Sequence, residues 1–191
     1  MNPVTVDKRD FTIKAKKLRR SGIVPGNVFG RPLPEPVSIQ MDEAVANRLF
    51  RNKREGSKLK LDLEGQLIPV QIKEKMVNTL NNEILHMSFQ ALKADQKVNS
   101  VIHILLQNAE KVTDSLEKML MEIPYASLPE DMIDTITIDV AGMPSGSIVT
   151  VGDIPELKND LIELQIAEDE IVFRLSDRKH DSDQRTEQDA E

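Results

Sequence analysis

The sequence predicts a mainly β protein with a few short helices, divided into two domains. Many short segments alternate apolar and polar residues and are separated by turn residues, which is typical of half-buried strands. Helical spacing of apolar residues is confined to short stretches. The formal charge also changes sign along the chain: residues 1–92 hold 16 Lys and Arg against 10 Asp and Glu (net +6), and residues 93–191 hold 9 against 22 (net −13), which together give −7. Such an asymmetry indicates different partners for the two halves.

Composition limits what the cores and any site can be made of. The chain has 191 residues, of which 39% are hydrophobic and only 3% aromatic, so we expect cores built mainly from Ile, Leu, Val and Met. The absence of cysteine excludes disulfides, thiolate metal ligands and thiol nucleophiles. No apolar stretch approaches the roughly 20 residues of a membrane helix, and the first residues lack the apolar segment of a signal peptide. We therefore expect a cytoplasmic protein with no membrane partner.

The first half of the chain predicts a series of strands and one helix. Alternation of apolar residues marks the strands, and proline or glycine marks the loops between them. Asp42 is a suitable N-cap for the helix, whose last turn carries cations that favour the helix dipole. The predicted elements are a strand over 4–13, the basic segment 14–20, a turn and short strand over 24–30, a strand over 36–41, a helix over 43–50, a hairpin over 57–75 and a strand over 83–90.

The hairpin over residues 57–75 is the clearest of these predictions. Leucines alternate with polar residues up to Glu64 and Gly65, which supply the turn, and the alternation resumes from Ile68 to Ile72. Period-two patterning in both arms predicts an antiparallel pair with one buried face. The other face is expected to be solvated and to carry the lysines at positions 58, 60, 73 and 75.

The densest cationic cluster lies at residues 14–20, where five of the seven residues are Lys or Arg. Together with the net charge of the first half, this cluster suggests a basic RNA-docking domain followed by an acidic domain that stays off the RNA. In the strand over 83–90, Leu85, Met87 and Phe89 are expected to share one face, which leaves His86 on the more polar face. A lone histidine is more often structural than functional, so the pattern leaves both roles open.

The second half predicts an all-β domain after a polar linker over residues 93–97. Short strands separated by turn signals support this class, whereas residues 107–117 fit either a helical turn or an irregular loop. The segment 176–191 has one Ala as its only apolar residue and is expected to be a disordered tail. The predicted strands of this domain are 98–106, 118–124, 135–140, 147–152, 161–166 and 170–175.

Motifs for catalysis and for cofactor binding are missing from the sequence. It contains no glycine-rich phosphate loop and no serine-nucleophile elbow. The three histidines, at positions 86, 103 and 180, lack metal-ligand spacing. We therefore predict a protein that is not an enzyme and that has no cofactor, no metal site and no small-molecule substrate.

A known family shares several short motifs with this chain. They are RDFT at residues 9–12, LRRSGIVPGNVFG at 18–30, PVSI at 36–39, NEILHMSF at 82–89, LPED at 128–131, IDV at 138–140 and SIVTVGDI at 147–154. In their order and spacing over residues 4–175 they resemble the 5S rRNA-binding protein family numbered twenty-five of the bacterial large ribosomal subunit, in its two-domain general-stress (Ctc) form. The resemblance implies an N-terminal β-barrel domain over 1–92 that docks on 5S rRNA, a C-terminal β domain over 93–175, and a ribosome-associated location.

The resemblance also implies which residues contact RNA. Carried across position by position, the family's contacts are Arg9, Arg19, Arg20, Phe29, Gly30, His86 and Ser88. Lys16 and Lys17 lie beside them, and arginines and lysines of this kind would pair with phosphates and position the domain. Two positions depart from the family, since Phe29 replaces a tyrosine and Ser88 replaces an aspartate. Because both changes remove polar groups from the RNA face, we expect a divergent member.

Two hypotheses about function follow. The first is a structural protein of the large ribosomal subunit that binds 5S rRNA through its basic first domain. The alternative is a ribosome-associated or free general-stress adaptor that kept the fold but has weakened rRNA binding. For the acidic second domain, two roles stay open: a soluble module whose charge prevents wrong docking on RNA, or a contact with neighbouring basic ribosomal proteins.

Overall fold

The structure is a computed structural model that describes residues 3–112 and 114–176. The described residues form two compact units: the first runs to Val98 and includes Leu128–Glu130, and the second comprises Asn99–Ser127 and residues 131–176. The predicted division between residues 92 and 93 stays a prediction, namely that residues 1–92 fold independently of the rest. The predicted disordered tail lies outside the described residues except for Ser176, which ends the last strand.

The first unit is a closed six-stranded β-barrel with strand order β1-β3-β2-β6-β5-β4, which confirms the N-terminal barrel. Two parallel contacts, β1 with β4 and β2 with β6, close it, and the other neighbours are antiparallel. A barrel has no free strand edges to pair with other chains. Its elements are β1 (Val4–Lys8), α1 (Ala15–Arg20), β2 (Ile23–Phe29), β3 (Val37–Asp42), α2 (Glu43–Asn52), β4 (Lys58–Leu63), β5 (Gln66–Asn78) and β6 (Glu83–Ala91).

The β4–β5 hairpin confirms the prediction from alternation. Its inward residues, from Leu59 on one arm to Ile72 on the other, belong to the barrel core. The turn uses Glu64 and Gly65, both with positive φ (54° and 87°), and the Asp62 carboxylate accepts a hydrogen bond from the Gly65 amide at 2.9 Å. Turn residues of this conformation match the twist of the flanking strands.

Gly26 allows β2 and β6 to approach each other where the barrel closes. A Cβ atom at this position would lie 2.6 Å from the Met87 carbonyl oxygen and 3.3 Å from an Ile39 side-chain carbon. Real Cβ atoms do not approach backbone oxygens this closely. The parallel contact between β2 and β6 therefore requires glycine at residue 26.

Irregularities in the β5–β6 pairing correct two expectations about side-chain direction. The register shifts between Ile72 and Glu74 and again between Met76 and Val77. A bulge inserts one residue and changes which residues face inward. Consequently Ile84 joins the barrel core and Leu85 is only partly buried, the reverse of the predicted arrangement.

Lys75 is also not on the solvated face that alternation predicted for it. Its ammonium group lies 4.8 Å from the centre of the Phe50 ring and donates a hydrogen bond to the Lys53 carbonyl at 2.8 Å. These groups lie at the C-terminal end of α2, where the exposed carbonyls favour a cation. Burial is the main reason that the pKa of Lys75 is lowered.

One local prediction in the first unit is wrong, and another is right in position only. The first strand ends at Lys8 rather than at residue 13, since the chain turns at Asp10, whose carboxylate accepts hydrogen bonds from the Thr12 amide and hydroxyl. Asp42 precedes α2 but makes no capping bond with its side chain. The Glu43 amide instead donates to the Gly22 carbonyl at 2.8 Å, so the backbone supplies the cap.

The second unit is all β, as predicted, and contains a four-stranded sheet (β10-β7-β9-β12) and a three-stranded sheet (β11-β13-β8). Tyr125 and Phe173 are fully buried in its core. The segment left open at 107–117 contains a short 3-10 turn over Ala109–Lys111 and the start of a strand at Ser115. The strands are β7 (Val98–Gln107), β8 (Ser115–Lys118), β9 (Glu122–Ser127), β10 (Thr135–Asp139), β11 (Ile148–Thr150), β12 (Ile162–Leu164) and β13 (Ile171–Ser176).

Candidate nucleic-acid interface

Strand β6 presents the central residues of the candidate interface on the outer surface of the barrel. Met87 and Phe89 are fully buried, so His86 and Ser88 lie on the opposite face of the strand. Strand β2 runs parallel to β6 and places Asn27 opposite Ser88. The pairing of β2 with β6, which are far apart in the sequence, therefore brings Asn27, His86 and Ser88 together.

His86 is held by a hydrogen bond to the neighbouring strand. Its Nε2–H donates to Asn27 Oδ1 at 3.0 Å. Burial lowers the pKa of His86 most, Glu74 opposes this by attracting the charged form, and Arg9 and Arg19 lower the pKa further by repulsion. The ring therefore favours its neutral form, and both arginines lie within electrostatic reach of it.

Helix α1 places Arg19 against the beginning of β6. Leu18 is the buried residue that anchors this short helix on the barrel. The Arg19 guanidinium donates through Nη1 to the Leu85 carbonyl at 3.4 Å, and its Nε lies 3.3 Å from Glu83 Oε1. With 20% of its side chain exposed, Arg19 keeps an orientation set by β6 but remains accessible to a ligand.

The other predicted cations of α1 point into solvent. Lys16, Lys17 and Arg20 are exposed, and none of them has an ion-pair partner among the described residues. Exposed, unpaired cations on one short helix can meet phosphates without first breaking a contact. They differ in this respect from Arg19.

Phe29 and Gly30 lie at the end of β2, beyond Asn27. Phe29 is half-buried and pairs in register with Gln90. Gly30 has φ = +129°, and a Cβ there would lie 3.0 Å from the Ala91 carbonyl oxygen. Gly30 is thus explained by backbone conformation and close packing, whatever role it has toward RNA.

Arg9 follows β1 and connects the interface to an exposed loop. Its amide donates to the Ser38 carbonyl at 3.0 Å, and its guanidinium carbon lies 5.4 Å from the centre of the Phe11 ring. The Nε atom is buried without a hydrogen-bond partner. Arg9 therefore has an unused donor close to a largely exposed aromatic ring.

The structure groups the predicted residues in three places. Arg9, Arg19, His86 and Ser88 surround the outer face of β6, the remaining cations lie on the exposed side of α1, and Phe29 with Gly30 lies at the end of β2. Sequence reasoning missed the residues that hold the first group, because their contacts join segments far apart in the chain. These are Asn27, Glu74 and Glu83.

Other kinds of site find no support in the described part of the chain. Within residues 3–112 and 114–176, no group of three or more His, Asp and Glu side chains could hold a metal ion. None of the helices in these same ranges is long and apolar enough to cross a membrane.

Comparison with known proteins yields one family match for each half of the chain. Residues 4–89 match the model of the ribosomal L25p family, and residues 97–179 match the C-terminal domain of ribosomal protein TL5. Together the two models cover both units of the fold.

Curated relatives match across both halves. A protein of Bacillus licheniformis named large ribosomal subunit protein bL25 is 27% identical over 143 residues, 73% of this chain and 68% of the relative. A protein of the same name from Listeria monocytogenes is 23% identical over 176 residues, 90% of this chain and 84% of the relative. Another, from Akkermansia muciniphila, is 28% identical over 143 residues, 73% of this chain and 71% of the relative.

Proposed function

Because this chain belongs to the bL25 family of bacterial ribosomal proteins as a divergent two-domain member, we propose that its barrel binds 5S rRNA within the large ribosomal subunit. The family is structural and not enzymatic. The chain is accordingly a structural ribosomal protein with a cytoplasmic, ribosome-associated location. The RNA partner and the residues that contact it are the parts of the proposal that experiments must test.

The observation that carries the proposal is that Arg9 and Arg19, from other elements, lie within electrostatic reach of His86, which shares the outer face of β6 with Ser88. Two guanidinium groups lie within electrostatic reach of one imidazole, although no local sequence pattern joins them. Double-helical RNA is recognised mainly through its shape and through phosphate and 2′-hydroxyl contacts. On this barrel face the arginines offer donors to phosphates, and the second ring nitrogen of neutral His86 offers an acceptor to a 2′-hydroxyl, beside the mostly buried Ser88 hydroxyl.

The exposed cations of α1 have a different role in this proposal. Lys16, Lys17 and Arg20 would contact phosphates beside the face and would contribute affinity with little sequence preference. Each phosphate that a cation neutralises releases counterions, so affinity should fall steeply as salt is added. The net charge of +6 over residues 1–92 favours the same behaviour.

The test is a salt-titrated binding assay of the full chain with 5S rRNA and with an unrelated RNA duplex of equal length. We expect 5S-selective binding that weakens with salt. Lys17→Gln should reduce the slope of log K against log salt by about one. Lys118→Gln, which removes an exposed lysine from the second unit, is the matched control and should leave the slope unchanged. Equal affinity for both RNAs would refute 5S rRNA recognition.

The alternative, a stress adaptor with weakened rRNA binding, also has structural support. His86 already donates to Asn27, Arg19 already contacts Glu83, and Ser88 lacks the carboxylate of the family motif. Sedimentation distinguishes the two functions. A protein that stays with 50S particles in growing and in stressed cells supports the ribosomal role, whereas one that sediments free in all conditions supports the adaptor.

For the second unit we propose contact with a basic neighbouring ribosomal protein. The net charge of −13 over residues 93–191 would steer such an association. Deleting residues 93–191 should then lower occupancy on the ribosome while leaving 5S rRNA affinity unchanged. Unchanged occupancy would favour the simpler role, a soluble module that avoids RNA.

A further inference from the structure

We propose that Phe11 is a stacking platform for an unpaired nucleobase of the bound RNA, an inference that rests on the proposed RNA binding. The other predicted contacts suit the backbone of a duplex. Phe11 would instead engage a base that has left the stack, in a loop or bulge next to that duplex.

Phe11 is unusual among the phenylalanines because its ring lies in solvent. It is 74% exposed, whereas Phe89 and Phe173 are fully buried. The ring is nevertheless presented by an ordered turn, since the Asp10 carboxylate accepts hydrogen bonds from the Thr12 amide at 2.8 Å and hydroxyl at 2.6 Å. An exposed ring on a fixed turn costs little ordering entropy when a planar ligand stacks on it.

Arg9 gives the ring an electrostatic environment that suits RNA. Its guanidinium carbon lies 5.4 Å from the ring centre, within the range of a cation–π contact. The cation occupies one approach to the ring and leaves the rest of it open. Arg9 as a whole is only partly buried, so its positive charge can also attract a phosphate next to the stacked base.

A groove beside Phe11 has walls that suit a nucleobase. It has a volume of about 650 Å³, its apolar lining comes from Phe11, Pro34, Pro36 and Val37, and its charged lining residues are Lys8, Arg9 and Glu35. Apolar walls suit the faces of a neutral base, and the Glu35 carboxylate can accept a hydrogen bond from an exocyclic amine. Aromatic and arginine side chains that stack on splayed bases are the usual means of binding single-stranded RNA.

The experiment compares the full-length chain with its Phe11→Leu variant, which keeps an apolar side chain of similar size but removes the aromatic ring. Both are titrated with 5S rRNA, with a blunt RNA duplex and with oligouridylate. We expect about a 5- to 100-fold loss of affinity for 5S rRNA and for oligouridylate, with no change for the blunt duplex. The salt slope should not change, because no phosphate contact is removed. Ultraviolet crosslinking of the wild-type chain should attach uridine to the peptide that contains Phe11.

The three probes separate this inference from the proposed function. If the wild-type chain selects 5S rRNA and the Phe11→Leu variant binds it with unaltered affinity, the stacking site is overturned and the proposed function stays in place. A second outcome is that Phe11→Leu loses oligouridylate binding and the wild-type chain crosslinks at Phe11, but the wild-type chain does not select 5S rRNA. This outcome supports the stacking site and overturns the proposed function. Failure to bind either RNA overturns both.

Discussion

Replacing Ser88 with aspartate restores the family carboxylate, and the structure predicts a cost in stability. Ser88 is 8% exposed, and its Cα pairs directly with Glu74 on β5. Residues opposite each other in an antiparallel pair lie about 4.5–5.5 Å apart and share a face. Ser88→Asp therefore puts two carboxylates side by side, one of them largely out of water. Like charges in such a pair cost roughly 0.2–1 kcal/mol, and partial desolvation raises the total to about 1–2 kcal/mol.

The measurement is chemical denaturation of the full-length chain, with the unfolding of the barrel followed separately from that of the second unit. The free energy of unfolding of the barrel should fall by about 1–2 kcal/mol in Ser88→Asp. In the double variant with Glu74→Gln, roughly 0.2–1 kcal/mol of this loss should be recovered. Ser88→Asn is the neutral control for the change in size. If Glu74→Gln recovers nothing, the two side chains do not share the face.

The same substitution predicts a change at His86, which lies two residues away on the same face. Burial holds the pKa of His86 below its ordinary value. A carboxylate at position 88 favours the charged imidazole and should raise that pKa. An NMR titration of the ring in both proteins measures the shift. A lower or unchanged pKa in the variant would show that the new carboxylate points away from the ring.

Three further predictions concern the barrel and the second unit. Gly26→Ala should lower the free energy of unfolding of the barrel in denaturant by about 1–3 kcal/mol, because its Cβ would lie 2.6 Å from a carbonyl oxygen. The control is Gly65→Ala, whose Cβ has open space around it and which should cost only the strain of positive φ. Tyr125→Phe should lower the stability of the second unit by about 2–4 kcal/mol, because the buried hydroxyl donates to the Ile133 carbonyl and accepts from its amide, both at 2.9 Å. The pKa of His86 is lower in the folded barrel than the 6.5 expected in the unfolded chain, so as the pH falls the unfolded chain takes up the proton before the folded chain does. The free energy of unfolding of the barrel should therefore decrease as the pH falls below 6.5. In His86→Gln this decrease should be smaller.

Local patterns predicted the individual strands but not how they close into a barrel. The β4–β5 hairpin follows from alternation because its two arms are joined by two turn residues and pair with each other. The closing contacts, β1 with β4 and β2 with β6, are parallel and join distant segments. Nothing in the local spacing around Val4 or Gly26 specifies such partners. The barrel was predicted only through resemblance to a family whose fold is known.

Bulges explain why the predicted faces of β6 were partly wrong. Strict period two places Leu85 on the same face as Met87, and the predicted core followed that rule. The register shift between Met76 and Val77 leaves Leu85 as an extra residue and turns Ile84 inward. A bulge depends on the pairing of two strands, and the sequence of one strand does not reveal it. His86 and Ser88 lie beyond this shift, so their assignment to the polar face agrees with the structure.

The candidate interface was likewise predictable in its charges but not in its contacts. The cations at 14–20 are visible in the sequence, and the structure shows that they are not equivalent. Arg19 contacts Glu83, whereas Lys17 and Arg20 are exposed without ion-pair partners in the described chain. The pairing of Arg19 with Glu83 spans more than sixty residues, and it depends on where the barrel places α1 against β6.

This difference determines where RNA affinity would come from. For Arg19, a phosphate has to replace or share the Glu83 carboxylate, which subtracts the about 0–1 kcal/mol that a partly exposed ion pair is worth from the new contact. The imidazole of His86 likewise gives up or shares its bond to Asn27. Lys16, Lys17 and Arg20 give up only water and counterions. In the proposed RNA complex, most of the salt-dependent affinity should therefore reside in α1, while the β6 face would fix the orientation of the RNA. Loss of the family carboxylate at Ser88 would then reduce selectivity for 5S rRNA more than overall affinity.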